Sequence, residues 1–215
     1  MDKDIESIFE NLNQSEIIKK APVFKFANFS ASPFKVIIST VLSARTRDEV
    51  TIDAVNRLFA KFDTVGKLAR SSVNEIAELI KPVGFYRQKA KYIKEIAIHV
   101  LRHGLPRTYD ELILLPGVGR KTANIILSYV YGWDVIAVDT HVHRISNRIG
   151  LVKTRTTLQT EKELMKRIPQ KYWKRINLLF VALGQMICRK KPNCSICPIN
   201  NYCDYFISMK TTPQT

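Results

Sequence analysis

A chain of 215 residues, 46% of them hydrophobic, has enough apolar surface to fold around a real core without staples, as one large domain or two small lobes. Lysine and arginine outnumber aspartate and glutamate by 34 to 19, a formal net charge of +15 that favours a polyanionic partner and makes nucleic acid the first candidate. No stretch has the apolar length of a transmembrane helix, and the acidic start MDKDIESIFENLNQ lacks the basic and apolar blocks of a signal peptide, so a cytoplasmic or nucleoid-associated protein is expected, with no membrane partner.

In chain order, the segment SPFKVIISTVLSA offers Ser32 as an N-cap and Pro33 at the first helical position. The tetrads TRDE, SVNE and TYDE fit the capping-box pattern at Thr46, Ser72 and Thr108, and predict a helix start at each. Gly104, Gly132 and Gly150 stand where periodic apolar runs stop, as C-terminal caps do, while Pro82, Gly84, Pro116 and Pro169 mark turns. Only VIAV at 135–138 reads as extended, too short to build a sheet. The expectation is an all-α protein of roughly ten short helices joined by short loops. No repeat, low-complexity segment or linker interrupts it.

The stretch LPGVGRKTANIILSYVYGW, 115–133, sets a glycine turn between two helical segments, YDELILL and RKTANIILSYVYG. Gly117 and Gly119 permit positive φ and close backbone approach, so the N–H groups of the turn, Val118 included, and of the second helix's first turn can converge on a phosphate. An ordinary helix corner with packing glycines accounts for the same residues; Arg120, Lys121 and the basic balance of the chain tilt the reading toward DNA. Lys121 sits where the macrodipole disfavours positive charge. The helix end and Arg120 act against the ammonium form, which favours a neutral, nucleophilic amine able to form a Schiff base; a plain phosphate contact is the simpler role.

Downstream, IAVDTHVHRISNRIG places Asp139 as an N-cap, a role compatible with stabilising an electron-poor sugar carbon or moving a proton. His141 and His143 are two apart, cannot share a helical face, and have no third ligand nearby, so packing or hydrogen bonding is expected of them. The four cysteines cluster in CRKKPNCSICPINNYC, at Cys188, Cys194, Cys197 and Cys203. Without a secretion signal, four such thiols read as a metal site, for zinc or an iron–sulfur cluster; spacing alone leaves both open. Arg189, Lys190 and Lys191 then lie on a short basic loop between the first two ligands.

These segments together resemble the endonuclease III family of helix-hairpin-helix DNA glycosylases, over nearly the whole chain. LPGVGRKTAN is similar to that family's hairpin and catalytic lysine, AVDTHVHR to its catalytic aspartate, and the four cysteines to its [4Fe-4S] ligands. The resemblance implies a two-lobed fold: residues 23–134 as a six-helix domain with the helix-hairpin-helix at about 109–131, and 1–22 plus 135–215 as the iron–sulfur cluster domain. It implies Lys121 as Schiff-base nucleophile at the anomeric carbon of a flipped, damaged nucleotide, with Asp139 as its acidic partner across a cleft. The expected activity is that of a monomeric base-excision repair enzyme on double-stranded DNA, removing oxidised or saturated pyrimidines and cleaving the abasic site.

Three positions depart from the pattern or extend it. The first two cysteines are separated by five residues where the family commonly has six. Arg45 stands where a glutamine commonly enters the gap left by the flipped base, and can fill that gap itself. Phe85 falls where the family places an apolar wedge; stacking on bases and ordinary core packing both suit it. Adenine-mismatch glycosylases of the same fold resemble the chain less well, since they carry glutamate at the position of Thr40 and lack a lysine at that of Lys121. Thymine-mismatch enzymes place tyrosine there. A non-catalytic DNA-binding protein would need Lys121 only for phosphate.

Overall fold

A computed structural model describes residues 3–27 and 32–211. Among them lie fourteen α-helices, three 3-10 turns and no strand. Residues 1–2, 28–31 and 212–215, which the expected domains include, lie outside the described residues. The helices are α1 (Ile5–Gln14), α2 (Glu16–Lys19), α3 (Pro22–Ala27), α4 (Pro33–Ser43), α5 (Asp48–Lys61), α6 (Val65–Arg70) and α7 (Val73–Ile80), then α8 (Tyr86–His103), α9 (Tyr109–Ile113), α10 (Arg120–Tyr131), α11 (Thr140–Ile149), α12 (Thr157–Arg167), α13 (Trp173–Met186) and α14 (Asp204–Thr211). They outnumber the roughly ten expected because one-turn helices such as α2 are too short to show a 3.6-residue period.

The chain divides into two compact units, Phe26–Trp133 and the pair Met1–Lys25 with Asp134–Thr215. In the first, α4 buries Phe34, Ile37, Ile38, Val41 and Leu42, and the Phe34 ring meets Phe59 of α5 edge-on. The long α8 turns Ala90, Ile93, Ile96, Ala97 and Val100 inward at helical spacing, against α6 and α7. In the second unit α1 buries Ile8, Phe9 and Leu12, and Phe9 stacks on Tyr172 with 4.4 Å between ring centroids. The segment 135–138 belongs to neither helix nor strand. Its Ile136, Ala137 and Val138 are buried, and Asn177 Nδ2 of α13 donates to the Ala137 carbonyl at 2.9 Å.

The helix ends expected from the sequence follow local chemistry with one exception. Ser32 caps α4 ahead of Pro33, and full capping boxes start α7 at Ser72 with Glu75 and α9 at Thr108 with Glu111. Gly104, Gly132 and Gly150 close α8, α10 and α11 at positive φ. Thr46, expected to cap a helix, does not: α5 begins at Asp48 behind Arg47 with no side-chain cap. Its hydroxyl accepts instead from the Gly84 N–H at 3.2 Å and the Lys89 ammonium at 3.1 Å. A tertiary contact outcompetes the local one.

At Gly150, φ is +87° and the Asp204 carboxylate occupies the place where a Cβ would stand. Asp204 in turn pairs with Lys3, whose ammonium also donates to the Tyr202 carbonyl at 2.9 Å. Gly150→Ala combines a left-handed backbone with this clash, and should lower stability by about 2 kcal/mol in urea unfolding. A loss under about 0.5 kcal/mol would show that Asp204 swings aside at no cost.

Candidate active site and metal centre

The turn between α9 and α10 is shaped by one glycine more than by two. Gly117 has φ +78°, and a Cβ there would lie 2.7 Å from the Tyr92 ring and 3.4 Å from Val41. Gly119, expected to share that conformation, is extended at φ −102°; a Cβ there would meet nothing within 4 Å. Its small size keeps the approach to the helix end open. Val118 is buried and its N–H donates to the Leu115 carbonyl at 3.1 Å inside the turn. Gly119 is the N-cap of α10 and supplies no side-chain cap to its first turn. Lys121 stands half-buried in that turn, and exposed Arg120 lies over Tyr109, 5.5 Å from the ring centroid.

Arg45 and Phe85, far apart in sequence, come together. The Arg45 guanidinium lies 5.7 Å from the centroid of the Phe85 ring. Phe85 is 65% exposed, which removes it from the core. Both have left-handed backbones, φ 54° and 57°, at an expected cost of about 1 kcal/mol each for a residue with a Cβ. Beneath them is a residue the sequence reading missed. Lys89 is 6% exposed, and its ammonium donates to the carbonyls of Leu42 (2.7 Å) and Ala44 (2.6 Å) and to Thr46 Oγ1. Burial pulls its pKa down to about 8. A signal was present: Lys89 is in phase with Ile93, Ile96 and Val100 on the apolar face of α8, where a charge is out of place.

In the other unit, Asp139 caps α11, its Oδ1 accepting from the Val142 N–H at 2.8 Å. Both histidines of α11 are hydrogen-bonded. His143 Nδ1 meets Thr160 Oγ1 at 2.6 Å, and His141 Nδ1 meets the Arg144 guanidinium at 3.1 Å while pressing on Gly184, where a Cβ would clash with the ring.

The four cysteines are free thiols, all half-buried, and line one pocket of about 360 Å³, part of it open solvent, with Ile145, Ile149, Leu183 and Ile187. They surround this space without meeting at a point: among the described residues no three His, Cys, Asp or Glu side chains converge as ligands of a single ion. Burial pushes the Cys197 thiol up to about 12 and raises Cys194 and Cys203 as well. Arg148 of α11, not singled out in the sequence, closes the rim. Its guanidinium donates to Cys188 Sγ at 3.3 Å and to the carbonyls of Arg189 (2.7 Å) and Lys190 (3.1 Å). The basic loop is thereby held by its backbone, and the side chains of Arg189 and Lys191 are exposed.

Known proteins share this sequence pattern and fold. Residues 38–170 match the family model described as HhH-GPD superfamily base excision DNA repair protein. Endonuclease III of Thermotoga maritima is 46% identical over 195 residues, covering 89% of this chain and 90% of that one. Endonuclease III of Bacillus subtilis is 35% identical, covering 80% and 81%. A solved structure of a trapped endonuclease III–DNA covalent intermediate aligns with a TM-score of 0.79 at 32% identity, over 95% of this chain and 98% of the other. The chain belongs to the HhH-GPD superfamily of base excision DNA repair proteins and, within it, to the endonuclease III family.

Proposed function

We propose that the protein is a monomeric, bifunctional DNA glycosylase and abasic-site lyase that removes oxidised or saturated pyrimidines from damaged double-stranded DNA. The observation that carries this reading is Lys121, half-buried in the first turn of α10 behind a turn whose packing requires Gly117. An amine in that place lies against any phosphodiester backbone that the turn receives.

In the proposed reaction the neutral Lys121 amine attacks the anomeric carbon of the damaged nucleotide. The bond from that carbon to the base breaks, and the base leaves with the electron pair and takes up a proton. Loss of protons from the amine and opening of the sugar ring give a Schiff base. Removal of a proton from the adjacent sugar carbon then expels the 3′ phosphate, and water releases the enzyme. Asp139 accepts a proton and stabilises positive charge on the sugar. Its cap hydrogen bond fixes the carboxylate through Oδ1 and leaves Oδ2 for this work. Arg45 and Phe85 enter the stack where the nucleotide leaves it, while Gly119, Arg120, Arg189 and Lys191 meet phosphates. Thr40 is buried and bonded within α4 to the Val36 carbonyl, which gives no support to a mismatch-glycosylase reading.

The cysteine pocket fits a [4Fe-4S] cluster held by Cys188, Cys194, Cys197 and Cys203. Four half-buried thiols, of which Cys194, Cys197 and Cys203 hold their protons tightly through burial, ionise together around a compensating metal charge, and a cluster that bonds each sulfur to a different iron suits four sulfurs set around a space. Bound there, it supplies a structural fastening for the basic loop. Protein purified anaerobically should be brown and hold about four iron and four sulfide per chain; stoichiometric zinc without iron would overturn this assignment.

The nucleophile is tested by substitution. Lys121→Gln should bind damaged duplex with near-normal affinity and form no borohydride-trapped adduct with it. If the variant is still trapped, another amine forms the imine. Asp139→Asn should keep the helix cap, because an amide also accepts the Val142 N–H, and should lose about 100-fold or more in base release in single-turnover assays. Base release within about threefold of the parent would leave Asp139 a cap alone.

A further inference from the structure

We propose that Lys89 is a positioning residue that holds Arg45 and Phe85 ready to enter DNA as one rigid wedge. The proposal rests on the reading that those two side chains fill the space a flipped nucleotide leaves. Lys89 touches neither DNA nor the reacting atoms.

An ammonium has three donors. At Lys89 they meet the Leu42 carbonyl, the Ala44 carbonyl and Thr46 Oγ1. Two of these acceptors, Ala44 and Thr46, flank Arg45 on either side. The Thr46 hydroxyl oxygen also accepts the Gly84 N–H, and Gly84 immediately precedes Phe85. Gly84 itself is pressed so closely on the first loop that a Cβ would stand 2.9 Å from the Arg45 carbonyl oxygen. One buried cation therefore fastens the end of α4, the residues around Arg45 and the turn before Phe85.

Left-handed backbones at residues with a Cβ persist only where the surroundings over-determine them. Arg45 and Phe85 are the two such residues among the described residues, and they sit side by side. An apolar residue at position 89 would pack α8 against its neighbours with no desolvation cost, so the fold alone does not call for a lysine at a site where its charge is disfavoured. What the lysine adds is the fixed relation between two loops.

The test uses the whole protein and a duplex carrying a tetrahydrofuran abasic analogue opposite 2-aminopurine, whose fluorescence rises when it is unstacked. Lys89→Met should reduce that rise, and should slow excision of dihydrouracil from duplex about tenfold or more, while borohydride trapping on a single-stranded abasic oligonucleotide stays within about twofold of the parent. Thr46→Val, which keeps side-chain volume and removes the shared acceptor, should shift both duplex readouts in the same direction, and it decides the matter if Lys89→Met does not fold. Parent-like fluorescence and duplex excision in the variants would overturn the proposal, as would an equal loss on duplex and single strand. Arg45→Ala and Phe85→Ala separate the two levels. If they leave the fluorescence unchanged, the wedge reading itself fails and the role of Lys89 falls with it; if they abolish the rise and the Lys89 and Thr46 variants do not alter it, only the positioning role fails.

Discussion

Four amide donors at the start of every α-helix and four carbonyls at its end have no partner within the helix, and a chain with fourteen α-helices among its described residues meets that constraint at every corner. The residues that matter here are those that answer it in an unusual way. Gly119 begins α10 with no side chain to cap it, which leaves the helix end open beside Lys121. Asp139 answers it at α11 with a carboxylate, where serine or threonine would serve the cap as well. Lys89 reaches from α8 to the last carbonyls of α4, and Arg148 reaches from α11 to the carbonyls that follow α13. These four residues all stand at or reach to helix ends.

Much of this was legible because caps and breakers are local. Ser72 with Glu75, and Thr108 with Glu111, carry their own partners three residues away, and the glycines that end α8, α10 and α11 need only their own freedom of φ. The hairpin, Lys121, Asp139 and the four cysteines could be picked out for the same reason: each belongs to a short contiguous motif. Thr46 could not, since its hydroxyl is claimed by Gly84 and Lys89 from another part of the chain. Gly119 looked equivalent to Gly117, and only the surroundings distinguish them: Tyr92 crowds one and open space faces the other. The pairing of Arg45 with Phe85 is a tertiary fact with no local signature.

The charges follow two different rules. Most of the +15 excess lies on solvated side chains, where exposed ion pairs such as Lys81 with Glu78 or Lys67 with Asp63 contribute little to stability. Lys89 is the opposite case. Its folded pKa, about 8, lies below the 10.5 of a free lysine, so the unfolded chain binds the proton more tightly. The buried charge costs stability below about pH 8, and that cost fades as pH rises toward 10.5. Surface cations set the long-range pull on a polyanion; this interior one sets local shape.

The stacking of Phe9 on Tyr172, and the reach of Lys3 to Tyr202, join segments from opposite ends of the chain, whereas the unit Phe26–Trp133 is one uninterrupted stretch. On the ribosome these two arrangements have different histories. The uninterrupted unit has all its partners as soon as its last helix emerges, and can condense while translation continues. Helix α1 is made before that stretch and waits through it, its Ile8, Phe9 and Leu12 without their core until α13 has been synthesised. The four cysteines, on the segment that follows α13, are made later still. A nascent chain arrested midway therefore displays a finished helical unit trailed by an apolar N-terminal helix with nothing to cover it, the kind of surface that chaperones bind.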